Sequence, residues 1–546
     1  MRLRLSTLDS QPKSSDLAPL CFSTLPALKI PAAFLVSLLF AAIGFAAEPA
    51  SAPSPDAELT AAIAAVEANP DALAAHDTLL RVHQAAVRKN FKEGEALAAP
   101  VEARYRVWLA RNPDSLGVNY GLGSLLYGHE DPRAKPFLLK VVALDPKQAK
   151  VFQMLAIDAE RWGDEPGASE FMRLASAADP ASPDYAFYYA SGLGRVDPPK
   201  WESASLEVAR RFPTHERGAQ ALYWLGARAD SEAKRLKYWE KLRADFPPEK
   251  FSWSSSAMTG LFEAYLRTAP ARATALARDM ERAGVREPKR WADRVAFAEN
   301  FIAARALLAA GKSTEAVALL EKLPVERRSA NARMITLLRA EIAAASGDVP
   351  AAYAALARRQ AATPEDETGT ALADYGVKLG KTPAQTAADI WALRDAAAKP
   401  APPFDLGLYT SDAKLSLASL RGKVVFVTFW FPGCGPCRAE FPHFEDVMGR
   451  FRGRDVVYLG INGIPKQDDY VLPFMAGTRY TFTPLRGTEA VTGPEGYAVR
   501  GYPANFLIDR DGRVIYRDFR AHDEESKLGL QRMIESLLDR PAAAGS

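Results

Sequence analysis

Lys423-Val-Val-Phe-Val-Thr-Phe-Trp430 runs straight into Phe431-Pro-Gly-Cys434-Gly-Pro-Cys437-Arg-Ala-Glu440-Phe-Pro442. The first eight residues are mostly β-branched or aromatic, as in a strand buried on both faces. The cysteine pair follows at once and opens a helix. A thiol in that place faces unpaired backbone N–H groups and the positive end of the helix dipole, and both favour the thiolate. Two intervening residues let the second sulfur reach the first across one turn. Cys434 therefore reads as the nucleophile that attacks a substrate disulfide, and Cys437 as the thiol that resolves the mixed disulfide.

The flanks have strand-like patterning. Residues 455–461 read as a second strand. Residues 505–509, 510–512 and 513–517 read as strand, tight turn and strand, and 527–538 as a closing amphipathic helix. Together they make a mixed α/β domain over 404–540. Ahead of it, 397–403 is a Pro/Ala stretch with no helical face and reads as a semi-rigid linker.

Upstream the period changes. Pro113, Pro146, Pro180, Pro213 and Pro247 recur at spacings of 33, 34, 33 and 34 residues, with apolar residues at helical spacing between them. The clearest unit has Phe152, Leu155 and Ala156 on a first helix and Gly163 at a turn. Ala168, Met172 and Ala175 follow on a second helix, and Pro180 closes the unit. Gly347, Ala352, Leu356 and Pro364 repeat these offsets; Gly311, Ala316 and Leu320 repeat part of them. Small residues let two helices cross closely, and a proline ends the second. Residues 248–300 show no clean unit. Tyr185, Phe187, Tyr188 and Tyr189 could line a groove, but their spacing favours a core. The whole of 47–396 reads as an all-α repeat domain.

The N-terminus reads as an address. Arg2, Arg4, Lys13 and Lys29 precede an almost wholly apolar run over 30–47, so 1–46 is a signal peptide or a membrane anchor. Of the 3 cysteines, Cys21 lies ahead of that run and would leave with a cleaved leader. The exported chain then keeps one closely spaced pair, which suits chemistry better than stapling. Of the 6 histidines only His443 and His522 fall in the last domain, so no metal site is expected. At 48% hydrophobic and 25% charged, the composition argues against wholesale disorder, collagen and a polytopic membrane protein. Lys and Arg number 69 against 66 Asp and Glu, a net +3 that gives no reason to expect nucleic acid as a partner.

Residues 56–396 resemble tetratricopeptide repeats. Residues 403–539 resemble the thioredoxin superfamily, and within it the TlpA/ResA-like thiol-disulfide oxidoreductases of bacterial envelopes. The residues that carry this are the strand, Phe429-Trp430, Cys-Gly-Pro-Cys, Arg438-x-Glu440-Phe-Pro442, and Gly501-Tyr-Pro503-Ala-Asn-Phe506-Leu-Ile-Asp509. The implied architecture is a multidomain chain, an all-α solenoid followed by an α/β thioredoxin fold. The resemblance implies a redox-active Cys434–Cys437 disulfide and a cis peptide at Pro503. It also implies a client surface of Tyr502 and Pro503 with Trp430, Gly435 and Pro436. Glu440 stands where the family has a glutamate that tunes the thiols. Two residues depart from pattern: Thr428, where thioredoxin has a buried aspartate, and Gly433, where tryptophan is usual, which should open the rim beside Cys434. Arg438 is expected to be a surface charge. The peroxidase pattern of this fold fails, since Val427 and Phe431 occupy its proline and threonine positions.

The function implied is an exported, periplasmic protein-disulfide reductase. No NADPH or flavin motif is visible, so no cofactor is expected and electrons would come from a membrane donor. The repeats would dock a client or partner protein. The competing reading is an interaction scaffold whose thioredoxin domain only binds.

Overall fold

The repeating prolines stop helices. Helices end at Arg111, Leu144, Ala178, Arg211 and Asp245, each two residues before one of the five prolines. A proline cannot extend the backbone ladder, so the chain turns there. The computed structural model describes residues 55–89, 94–285, 288–321 and 330–540. Residues 1–46, read above as a signal peptide or membrane anchor, lie with Cys21 outside the described residues. Among the described residues no helix is long and apolar enough to cross a membrane.

Contacts divide the chain after Gly121. The first unit holds helices Pro55–Ala68, Leu73–Lys89 and Gly94–Arg111 and the first residues of Leu116–Gly128. Val66, Leu79, Tyr105 and Val118 are buried in it. His76 lies among them, with Nε2 2.8 Å from the Pro70 carbonyl and Nδ1 3.0 Å from the Tyr105 hydroxyl.

The second unit begins at Leu122 and contains the remaining helices and the sheet. Consecutive helices pack as pairs, such as Ala149–Arg161 with Glu165–Ala178 and Ala330–Ala345 with Val349–Ala362. Asp164, Ser182, Asp197, Ser231 and Asp348 each cap a helix by accepting the N–H three residues on, satisfying a donor the helix leaves open. Over 248–300 the pairing continues through Ser252–Thr268, Pro270–Arg282 and Pro288–Ala309. Trp253, Phe262, Trp291 and Phe301 are buried there, and such large side chains hide the small-residue signature. In the aromatic cluster, Phe187 is buried while Tyr185, Tyr188 and Tyr189 are half-buried.

Gly163, at the turn of the clearest pair, has φ +73°, where a Cβ is strained. A Cβ there would also lie 2.6 Å from the Phe474 carbonyl oxygen. Gly163→Ala is expected to lower the thermal midpoint, with a cost of about 2–4 kcal/mol from the left-handed penalty and the backbone clash together. An unchanged midpoint would mean that this turn does not pack on Phe474.

The main sheet has β1 (Lys399–Pro400), β4 (Val424–Trp430), β5 (Val456–Asn462), β6 (Thr483–Arg486), β7 (Ala504–Ile508) and β8 (Arg513–Arg517), while β2 (Asp405–Gly407) and β3 (Lys414–Ser416) form a separate hairpin. The order is β1-β8-β7-β4-β5-β6. β5 lies parallel to β4, and β7 antiparallel to it. β4 is buried along its whole length. Its alternation feeds two cores. Val424, Phe426 and Trp430 join Phe441, Phe444 and Phe474 on one face. Val425, Val427 and Phe429 join Leu459, Ile461 and Ile508 on the other. An all-helical array thus leads into a mixed, thioredoxin-like α/β domain.

β1 corrects the reading of 397–403 as a linker. Helix Pro383–Ala397 runs up to it, and Lys399 and Pro400 pair with Val514 and Arg513. The Ala401 N–H donates to the Gly512 carbonyl at 3.0 Å. This is a sheet edge, where a strand proline sacrifices no ladder bond; two paired residues are too few to show alternation in sequence. Trp391 of the preceding helix sits in the same core as Phe426 and Trp430. Asp395 receives Arg513 at 2.8 Å.

Candidate active site

Cys434 is the N-cap of helix Gly435–Gly449. Its backbone is extended, and its Sγ accepts the Cys437 N–H at 3.2 Å. Pro436 falls in the first turn, where the missing N–H costs nothing. Cys434 and Cys437 are joined as a disulfide with Cα atoms 5.3 Å apart. Both are buried, Cys434 at 2% and Cys437 at 0% exposure. Gly435 is half-buried and Pro436 exposed.

The register of β4 and β7 brings the second segment to the same end of the sheet. Thr428 pairs with Asn505 and Phe429 with Ala504, so Pro503 comes next opposite Trp430. The Tyr502–Pro503 peptide is cis. Tyr502 is half-buried, packs edge-on against Phe431 at 5.3 Å, and donates its hydroxyl to the Gly463 carbonyl at 3.1 Å. Trp430 departs from expectation. It is fully buried among Phe441, Phe474 and Phe482, so it is floor to the site and offers no face to a client.

Glu440 lies one helical turn beyond Cys437, on the same face. Its side chain is 2% exposed. Oε2 accepts from Asn505 Nδ2 at 3.0 Å and Oε1 pairs with Arg520 Nε at 2.6 Å. Burial pushes its carboxyl up to about 7, against the opposing pull of Arg520 and Asn505. Glu440 is therefore no solvated helix-face carboxylate. Its carboxyl changes protonation near neutrality. Arg520 also donates Nη1 to the Pro503 carbonyl at 2.8 Å, tying the carboxylate to the cis-proline segment. Thr428 is buried, and its hydroxyl has no hydrogen-bond partner among the described residues.

Two rim residues differ from the sequence reading. The place beside Gly433 is filled: Gln467 Oε1 accepts the Gly433 N–H at 2.7 Å, and a Cβ on Gly433 would lie 3.0 Å from that amide. Arg438 is no surface charge. It is 6% exposed and pairs with Glu160 of the helical array. Asn505, Arg520 and Gln467 went unassigned in the sequence. Asn505 stands inside the quoted Pro503 motif, so its place was visible, but its partnership with Glu440 depends on strand register. Nothing local marks Gln467 or Arg520. Among the described residues no group of His, Cys, Asp and Glu could hold a metal ion.

The AhpC/TSA family model matches residues 397–517. Thiol-disulfide oxidoreductase ResA of Bacillus subtilis is 29% identical over 106 residues, covering 19% of this chain and 58% of that protein. Thioredoxin-like protein YneN of the same organism is 29% identical over 115 residues, covering 21% and 66%. The chain thus spans less than two thirds of the length of either relative. A thiol:disulfide interchange protein of the thioredoxin family from Chlorobium tepidum, known as a crystal structure, is 27% identical, covering 26% of this chain and 97% of that one with a TM-score of 0.23. Residues 397–517, which hold the helix-capping cysteine pair, match the AhpC/TSA family model and are similar to the ResA-type thiol-disulfide oxidoreductases.

Proposed function

We infer that the protein is an exported thiol-disulfide oxidoreductase that reduces disulfides of envelope proteins. The observation that carries this is the Cys434–Cys437 pair at a helix N-cap with a buried, near-neutral Glu440 one turn away. In the reduced protein, the Cys434 thiolate attacks one sulfur of a client disulfide, forming a mixed disulfide and releasing a client thiolate. Cys437 then attacks Cys434 Sγ and frees the second client thiol. The two electrons now rest with the client and the Cys434–Cys437 disulfide remains. A membrane electron donor returns it to the dithiol. Glu440 takes the proton from Cys437 as it becomes the attacking thiolate. Tyr502, on the cis peptide before buried Pro503, forms with Gly435 and Pro436 the surface that meets the client chain, and the helical array docks client or donor. The basic and then apolar pattern of 1–46, read as a signal peptide or membrane anchor, supports a periplasmic location.

Equilibration in graded glutathione or dithiothreitol buffers tests the direction. A potential near about −270 mV is expected, as for a reductant, and a value above about −180 mV would remove the reductase reading.

A further inference from the structure

The helical array contacts residues that flank the dithiol, Arg438 on one side and Gln467 on the other. Arg438 lies four residues after Cys434, next to it on one helix face. Its guanidinium pairs with Glu160, which sits 278 positions away in sequence on helix Ala149–Arg161. On the other side, Gln467 accepts the N–H of Gly433 and donates Nε2 to Glu130 Oε2 at 2.6 Å. Glu130 belongs to the turn between helices Leu116–Gly128 and Ala134–Leu144 and has φ +58°. A non-glycine residue persists in that region when its surroundings hold it there. Here the hold is visible, because the Glu130 carbonyl also accepts the Tyr470 hydroxyl at 3.1 Å.

The charges near Arg438 form a closed chain. Glu160 also takes Arg195 at 2.6 Å, and Arg195 takes Glu165 at 2.5 Å. Tyr480 is another ionisable group near Arg438, and burial pushes its hydroxyl up to about 12. Burial opposes ionisation of Glu160, but the guanidiniums of Arg438 and Arg195 overcome it and hold its carboxyl below the ordinary carboxylate range. A cation one turn from a helix-capping thiol stabilises the thiolate. With Glu160 ionised against it, most of that field is cancelled.

We propose that Glu160 of the helical array is a positioning residue of the dithiol, which neutralises Arg438 and so keeps that cation from stabilising the Cys434 thiolate. The array is then part of the active site, and the redox poise of Cys434 depends on its docking. This rests on the thiol-disulfide reading above.

The test uses the full chain with Glu160→Gln, Arg438→Gln and the double variant. Two quantities are read: the potential against glutathione, and the pH profile of Cys434 alkylation in the reduced protein. Glu160→Gln leaves Arg438 less compensated, so the thiolate and the reduced form gain. The equilibrium constant for reduction should rise three- to tenfold, a shift of about 15–30 mV toward more oxidising values, and the alkylation profile should move to lower pH. Arg438→Gln should move both the opposite way, and the double variant should return toward the parent. A Glu160→Gln variant that shifts neither quantity, or shifts both in the direction of Arg438→Gln, overturns the proposal. Should Glu160→Gln lose its cooperative melt, Arg438→Gln decides alone, and an unchanged potential there overturns it. If the parent pair does not titrate reversibly, the failure belongs to the oxidoreductase reading.

Discussion

Cys434→Ser is expected to abolish disulfide reduction, lowering kcat/KM by roughly a thousandfold or more, since residues acting as one chemical unit lose nearly everything when the nucleophile goes. The geometry assigns the two sulfurs unequal parts. Cys434 caps the helix and accepts the Cys437 N–H, so negative charge on its sulfur meets a backbone donor. Cys437 lies inside the first turn, and its backbone N–H is the donor that Cys434 Sγ accepts. Cys437→Ser should therefore still attack but not resolve. It should accumulate mixed disulfides that are visible on a non-reducing gel and lost with dithiothreitol. Insulin reduction measures the first outcome, and capture from envelope extracts measures the second. Retention of activity in Cys434→Ser would reverse the assignment. Capture by Cys434→Ser but not by Cys437→Ser would do the same.

Glu440→Gln is expected to make the protein more stable and less active. The carboxyl titrates near about 7 in the folded chain, against a usual 4.5. Below pH 4.5 both folded and unfolded chains hold the proton. Between 4.5 and 7 the unfolded chain has released it and the folded chain has not, so stability falls as pH rises. Above 7 the loss is complete, about 3 kcal/mol at 1.36 kcal/mol per unit. Gln cannot ionise, so this pH-dependent loss should disappear. The substitution also breaks the pair with Arg520, but that guanidinium is 42% exposed and such a pair contributes at most about 1 kcal/mol. The net expectation at pH 8 is a gain of about 2 kcal/mol in urea melts, with no gain at pH 4. Thiol-disulfide exchange should slow roughly a hundredfold or more, as when a general acid–base is lost. A variant equally active across pH would take Glu440 out of the proton path.

Local chemistry made much of this legible. The β4 run, the cysteine pair and the 33- to 34-residue proline period each act over a few residues: a strand's side-chain alternation, a helix N-cap, a proline's missing N–H. The segments 505–509 and 513–517 read as strands for the same reason and fold as β7 and β8 within a residue of that reading. The 397–403 stretch misled because an edge strand containing a proline carries no alternation, and only its partner β8 reveals it.

The sequence by itself determined the kind of chemistry, the helical character of the long N-terminal part and the mixed sheet that follows it. It also placed Glu440 one turn past the second cysteine. Only the tertiary structure decided what surrounds those residues. The burial of Glu440 is set only when strand register brings Asn505 against it. Arg438 and Gly433 read as a surface charge and an open rim until Glu160 and Gln467 arrive from elsewhere in the chain. Burial and charge compensation come from neighbours 34 to 278 residues apart, and no pattern along the chain records which side chains folding will bring together.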